Sequence, residues 1–143
     1  MRLWGQIGGW LRRRRRAPSL GQRGEQAAAR YLERLGYTIV ARSDRSRFGE
    51  LDIVAVDGQT IVFVEVKTRR SRSAEARPAD AVDEDKQRRI ARLALLFMKR
   101  HELLEYGSRF DIVAVTWPAG SSTPHIEHFQ HAFEAPGPAD WFS

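Results

Sequence analysis

The chain of 143 residues has no cysteine. That excludes a disulfide framework and any thiolate metal centre, and it suits a reducing cytosol, where the sequence places the protein. No apolar run reaches the ~20 residues a membrane-spanning helix needs. Histidine is sparse, and His125, His128 and His131 are spaced for zinc on neither a strand nor a helix. The first twenty residues hold no acid at all. Their basic residues, Arg2 and Arg12 to Arg16, account for the formal net charge of +6 and leave 18 basic against 18 acidic residues elsewhere. The high pI therefore belongs to an arm, residues 1–19, and not to a uniformly basic domain. Gly5, Gly8 and Gly9 weaken any helix there, and no apolar stretch follows the arginines as a secretory signal requires. An arginine block of this kind suits phosphate backbones or an anionic membrane surface.

What the chain does have is concentrated between Phe48 and Thr68. Two β-branched runs flank Asp57-Gly58, a hairpin signal. Charged residues interrupt both runs: Glu50 and Asp52 in the first, Glu65 and Lys67 in the second. A two-residue loop at Asp57-Gly58 sets Asp52 opposite Phe63 and Glu50 opposite Glu65. A four-residue loop, Asp57 to Thr60, sets Asp52 opposite Glu65 and Glu50 opposite Lys67. Either even loop puts the four charged groups on one face together with Val54, Val56, Ile61 and Phe63, and an odd loop without a bulge does not. Opposed Cβ atoms lie ~4.5–5.5 Å apart. Carboxylates that close, on a face that is largely covered, are costly unless a cation compensates. Hard oxygen ligands at that separation suit Mg²⁺ or Mn²⁺, and a nearby lysine suits activation of water or stabilisation of a pentacovalent phosphate.

The rest of the chain reads as a frame for that ribbon. Leu20 to Leu35 has helical spacing at Ala28, Tyr31, Leu32 and Leu35, with Gly36 as the stop. Glu25 is expected in its first turn, either favoured there by the helix dipole or aimed at the hairpin as a further ligand. Tyr37 to Ala41 reads as a short strand, followed by a polar loop carrying Arg42, Arg45 and Arg47. Thr68 to Pro78 reads as a second basic loop, with Arg69, Arg70, Arg72 and Arg77. Arg45, Arg47, Arg69 and Arg70 are the candidates for seating a phosphodiester. Asp83 is a helix cap, and the helix it opens is expected to reach about Leu104, with Lys86, Arg88, Arg89 and Arg92 at its basic start. Arg109 to Trp117 is a strand whose Asp111-Ile-Val-Ala-Val repeats the pentapeptide at Asp52. No Glu-x-Lys follows it, so Asp111 reads as structural. Ile126 to Phe129 is expected as an edge strand. Three segments result: the arm 1–19, a domain 20–133 and a tail 134–143.

The order is α/β, a central mixed sheet flanked by helices. Gly24-Glu25, Gly49-Glu50-Leu51-Asp52, Val64-Glu65-Val66-Lys67-Thr68, Ala81-Val82 with Lys86, and Phe110-Asp111 resemble the YraN family of small bacterial proteins. That family lies within the PD-(D/E)xK, restriction-endonuclease-like superfamily and is similar in core to archaeal Holliday-junction resolvases. The resemblance covers about residues 21 to 133. It implies a restriction-endonuclease-like core in which Asp52, Glu65 and Glu25 hold a Mg²⁺ or Mn²⁺ ion, with the Val66 carbonyl as a further ligand. Lys67 acts on the attacking water or the transition state, and Glu50 and Lys86 support. Relatives often carry Asn and an aromatic where this chain has Ser43-Asp44. The implied activity is cleavage of DNA, including branched DNA, by a protein that a two-strand cut would make a homodimer. Two other readings stand beside it: a nucleic-acid-binding protein that kept the fold without cleaving, and an adaptor docked through its arm.

Overall fold

The computed structural model describes residues 17–70 and 82–135. The arginine block at 12–16, Arg72, Arg77 and the tail from 136 onward lie outside the described residues. The elements are α1 (Leu20–Arg34), β1 (Thr38–Ser46), β2 (Gly49–Asp57), β3 (Thr60–Arg70), α2 (Glu84–Arg100), β4 (Ser108–Trp117) and β5 (His125–Phe133). The sheet follows chain order, β1 to β5, with β3 and β4 parallel and every other pair antiparallel. This is the α/β, restriction-endonuclease-like core expected from the sequence: one mixed sheet with a helix on each face.

Each helix buries one stripe. Ser19 caps α1, its hydroxyl accepting from the Gln22 amide while the Gln22 side chain accepts from the Ser19 amide. Ser19, read from sequence as the end of the arm, is thus part of the folded domain. Ala28, Ala29 and Leu32 turn inward against Ile53, Ala55, Val62, Val64, Val113 and Val115. Asp83 caps α2 through the Lys86 amide, and Ile90, Leu93, Ala94, Phe97 and Met98 pack on the opposite face against Val54, Ile61, Phe63 and Phe110. Strand β3 is central, and Ile61 to Glu65 are buried without a break, as expected of a strand covered on both faces. No helix among the described residues is long and apolar enough to cross a membrane.

Several boundaries differ from the sequence reading. β1 runs to Ser46, so Arg42 and Arg45 stand on a strand and only Arg47 in a turn. β3 runs to Arg70, so Thr68, Arg69 and Arg70 are not loop residues. In both cases pairing to a neighbour supplies the stability that the polar sequence lacks. α2 ends at Arg100, four residues before Leu104. β5 is longer than expected, His125–Phe133. Glu25 lies beyond the first turn of α1, where the dipole argument loses its force.

A buried ionic network ties β4 to β5 and to the start of β1. Asp111 is fully buried and accepts from Arg109 Nε at 3.1 Å and the His131 amide at 3.2 Å, with His128 Nε2 at 2.8 Å. Arg109 also donates to Asp57 at 3.1 Å and to the Tyr37 hydroxyl at 2.6 Å. Burial alone would raise the Asp111 carboxyl; the bonds from His128, Arg109 and the His131 amide outweigh it and hold it below the usual range. Among the described residues no buried side-chain nitrogen or oxygen lacks a partner. The structural reading of Asp111 rests on these contacts, and His128 is its partner. Asp111→Asn keeps the shape but leaves Arg109 short of counter-charge and replaces one acceptor oxygen with a donor. Urea denaturation is expected to show a loss of about 3 kcal/mol with an unchanged m value; a loss below about 0.5 kcal/mol contradicts the network's role.

Candidate metal centre

The hairpin register is the one in which Val56 faces Ile61. Asp57 pairs with Thr60, and the connection is Gly58-Gln59, with Gly58 at φ +62°. Of the two even registers, this is the one that sets Asp52 against Glu65. The ladder, however, stops at Ile53↔Val64. Beyond it β2 leaves β3 and pairs only with β1, through Leu51↔Asp44, Glu50↔Arg45 and Gly49↔Ser46. Asp52 fills the gap: its Oδ2 accepts from the Val66 amide at 2.9 Å, in place of a main-chain acceptor.

At the same point both strands of the β1–β2 ribbon miss one alternation. Leu51 and Val54 belong to the core under α2, and Ile53 to the core under α1. Asp52 therefore faces α1 with Ile53, not α2 with Val54. Opposite it, Arg42 and Ser43 both reach Glu25 of α1, and Ser43 sits at φ +49°. A non-glycine residue there costs roughly 1 kcal/mol or more, which the Ser43–Glu25 bonds offset. The expectation that all four charged groups share a face with Val54, Val56, Ile61 and Phe63 is corrected accordingly. Glu65 stays on the Phe63 side, and its cations come from β3 and α2. Glu50 pairs with Arg45 instead of facing Lys67.

The result is a site assembled in the gap. Glu25, Glu50 and Asp52 each bring a carboxylate oxygen to within 4.8 Å of the others. These three, with Val66, Thr68, Ser43 and Arg45, line a cavity of about 700 Å³ beside the start of α1. Across the gap Glu65 is buried, with Lys86 Nζ 2.7 Å and Lys67 Nζ 3.6 Å from its Oε1. Burial, then the charge of Glu65, push the Asp52 carboxyl up to about 7; the Val66 amide pulls the other way and loses. Burial, then the neighbouring Lys86, lower the Lys67 ammonium. Burial also acts to lower Lys86, but its bond to Glu65 prevails and its pKa is raised. Of the two lysines, Lys67 gives up its proton more readily.

The structure brings Glu25, Glu50 and Asp52 together, sets Glu65 with Lys67 and Lys86 against them, and puts Val66 between. Arg45 lies on the cavity rim, while Arg47 stands in the hairpin turn with its guanidinium 4.9 Å from the Phe48 ring centre. Arg69 and Arg70 stand at the end of β3, paired with Thr116 and Trp117 of β4. Such an all-oxygen donor set can take a divalent cation. Sequence reasoning missed Ser43 as the partner of Glu25 and Lys86 as the nearer partner of Glu65. A mid-strand serine carries no sign of a positive φ, and the lysine is 21 positions from its carboxylate, on an element whose start must first be located.

α1 comes this close because of Gly24. A Cβ there would lie 1.9 Å from Thr68 Oγ1 and 2.8 Å from Thr68 Cβ, so no side-chain rotation makes room. Glu25, the next residue, is thereby pressed against the gap.

A model of the uncharacterised protein family UPF0102 matches residues 24–115, a span from Gly24 to Val115 that takes in every carboxylate and lysine of the site. The chain is 50% identical over 121 residues to a UPF0102 protein of Rhodopirellula baltica, covering 82% of this chain and 72% of that one. It is 50% identical over 115 residues to a UPF0102 protein of Geobacter sulfurreducens, with 80% and 88% covered. A UPF0102 protein of Symbiobacterium thermophilum is 47% identical over 116 residues, with 81% and 97% covered.

Two outcomes are expected from this geometry. With its carboxyl at about 7 in the folded chain against 3.8 in the unfolded one, Asp52 favours folding fully below pH 4 and loses that contribution as pH rises through 7. In chelator, the wild type is expected to lose stability from pH 5 to pH 8 relative to Asp52→Asn, read from urea midpoints; parallel pH profiles contradict it. Gly24→Ala is expected to cost roughly 1–3 kcal/mol by the same measurement, although alanine is the better helix former by about 1 kcal/mol. A stabilised variant contradicts the close approach.

Proposed function

The chain belongs to the uncharacterised protein family UPF0102 (the YraN family), and we propose that it is a Mg²⁺- or Mn²⁺-dependent endonuclease that hydrolyses phosphodiester bonds in DNA. The observation that carries this reading is the gap at Asp52, where carboxylates from α1 and β2 converge and Glu65 of β3 neighbours Asp52 with two lysines of its own. Asp52 is the carboxylate there with no cation at ion-pair distance among the described residues, and burial with the charge of Glu65 beside it makes its ionised form costly unless a cation joins it.

In this reading Asp52, Glu65 and Glu25 hold the ion, with the Val66 carbonyl as a further donor and Glu50 in support. Bound there, a divalent cation supplies Lewis-acid activation of water and charge neutralisation at the phosphate. The chain's own residues do the rest. Lys67, whose ammonium is lowered by burial and by Lys86, takes a proton from the attacking water or stabilises the developing charge. Arg45 at the cavity rim steers the phosphodiester. A structure-selective action on branched DNA and a homodimeric assembly fit the same reading, because a two-strand cut needs two such sites.

The assay is direct. Purified protein is incubated with branched, single-stranded and duplex DNA in Mg²⁺ or in Mn²⁺, with Asp52→Asn and Lys67→Met in parallel. The wild type is expected to cut, and both variants to lose at least about a hundredfold in rate. DNA binding without cleavage by any form contradicts the enzyme and leaves a nucleic-acid-binding protein on this fold.

A further inference from the structure

Among the described residues the site's charge is already largely balanced by its own side chains. Arg42 Nε lies 3.5 Å from Glu25, Arg45 Nη2 3.0 Å from Glu50, and Lys86 Nζ 2.7 Å from Glu65. Only Asp52 lacks a cation at ion-pair distance, and the Val66 amide is its hydrogen-bond donor. A divalent cation that takes Glu25, Glu50 and Glu65 therefore competes with cations already there. These pairs differ in cost. The Arg45 side chain is 80% exposed and that of Arg42 44%, and exposed pairs of this kind contribute little. The Glu65 side chain is 10% exposed and holds its lysine more firmly.

Displaced cations do not leave. Arg45 lines the cavity, and Arg42 on β1 and Lys86 on α2 stay anchored beside Glu25 and Glu65. Once their carboxylates turn to the ion, they stand unpaired beside a place where a phosphate would sit. Guanidinium groups match phosphate oxygens in bidentate geometry. We propose that Arg42, Arg45 and Lys86 are the phosphate seats of this site, held shut by Glu25, Glu50 and Glu65 until a divalent cation takes those carboxylates. Metal and phosphodiester then bind well together and poorly apart. This inference rests on the metal-centre reading above and adds to it an order of events: the ion unlocks the substrate seats. Linkage makes the effect reciprocal, because each ligand tightens the other by the same factor.

The test measures binding, not turnover. Lys67→Met protein is used as the background, because it keeps all three ion pairs. Mn²⁺ affinity is read by electron paramagnetic resonance of the free ion, with and without a short single-stranded oligonucleotide. Oligonucleotide affinity is read by fluorescence anisotropy, with and without Mn²⁺. Each ligand is expected to tighten the other about tenfold. Adding Arg42→Ala and Arg45→Ala, both on exposed side chains, is expected to tighten Mn²⁺ severalfold in the absence of oligonucleotide and to lower the coupling factor severalfold, to the share that Lys86 sustains. Mn²⁺ uptake that is independent of the oligonucleotide, or coupling undiminished by the arginine substitutions, overturns the proposal while leaving the metal centre standing. No Mn²⁺ uptake by any form overturns the metal centre and this proposal with it.

Discussion

One bond organises this molecule: the Val66 amide given to the Asp52 carboxylate where β2 and β3 part. In an unbroken hairpin a β2 carbonyl would take that amide and the ribbon would close. Here the ladder ends at Ile53↔Val64, and a side chain substitutes for the main chain. The substitution keeps the donor satisfied, as burial demands. It also opens a slot in the middle of the sheet, into which Glu25 reaches from one face and Glu65 with its lysines from the other. The missed alternations at Arg42-Ser43 and Asp52-Ile53, the positive φ of Ser43 and the bare Gly24–Thr68 contact all serve that opening.

The opening sits on an otherwise rigid frame. β3 is covered on both faces, and the Asp111–Arg109–His128 network pins β4 and β5 behind it. That division matters for chemistry. Groups with shifted pKa values cluster where burial and like charges are forced together, and they persist only where the surroundings over-determine them. Asp111 and Asp52 illustrate the contrast. Both begin the same Asp-Ile-Val-Ala-Val pentapeptide. Asp111 is pulled down by three donors, while Asp52 has one donor and a neighbouring carboxylate and is pushed up. Identical sequence thus gives a carboxylate held low in one strand and one pushed up in the other, and the difference is who donates to each.

Much of this was legible beforehand. Alternation and turn chemistry marked the hairpin, and the parity argument left two even registers, of which the structure takes the one that aligns Asp52 with Glu65. The apolar spacing of α1 and α2 located both helices, since periodicity is a property of the chain itself. The failures share a cause. A strict two-residue alternation put Asp52 on the face of Val54, because nothing in Leu51-Asp52-Ile53 announces that both strands will skip a step together. Arg42 and Arg45 read as loop residues because their strand is held by pairing to β2, not by its own composition. Lys86 was recognised as a family position, but its 2.7 Å contact with Glu65 depends on where α2 begins in space.

The central claim is that a cation belongs in the gap between β2 and β3. Anomalous diffraction from crystals soaked in Mn²⁺ tests it most directly. The account predicts a single strong peak bounded by the carboxylates of Asp52 and Glu65, with Glu25 and the Val66 carbonyl beside it and Lys86 withdrawn from Glu65. A fully folded protein with no peak there, or with Mn²⁺ only on surface carboxylates outside the gap, contradicts it.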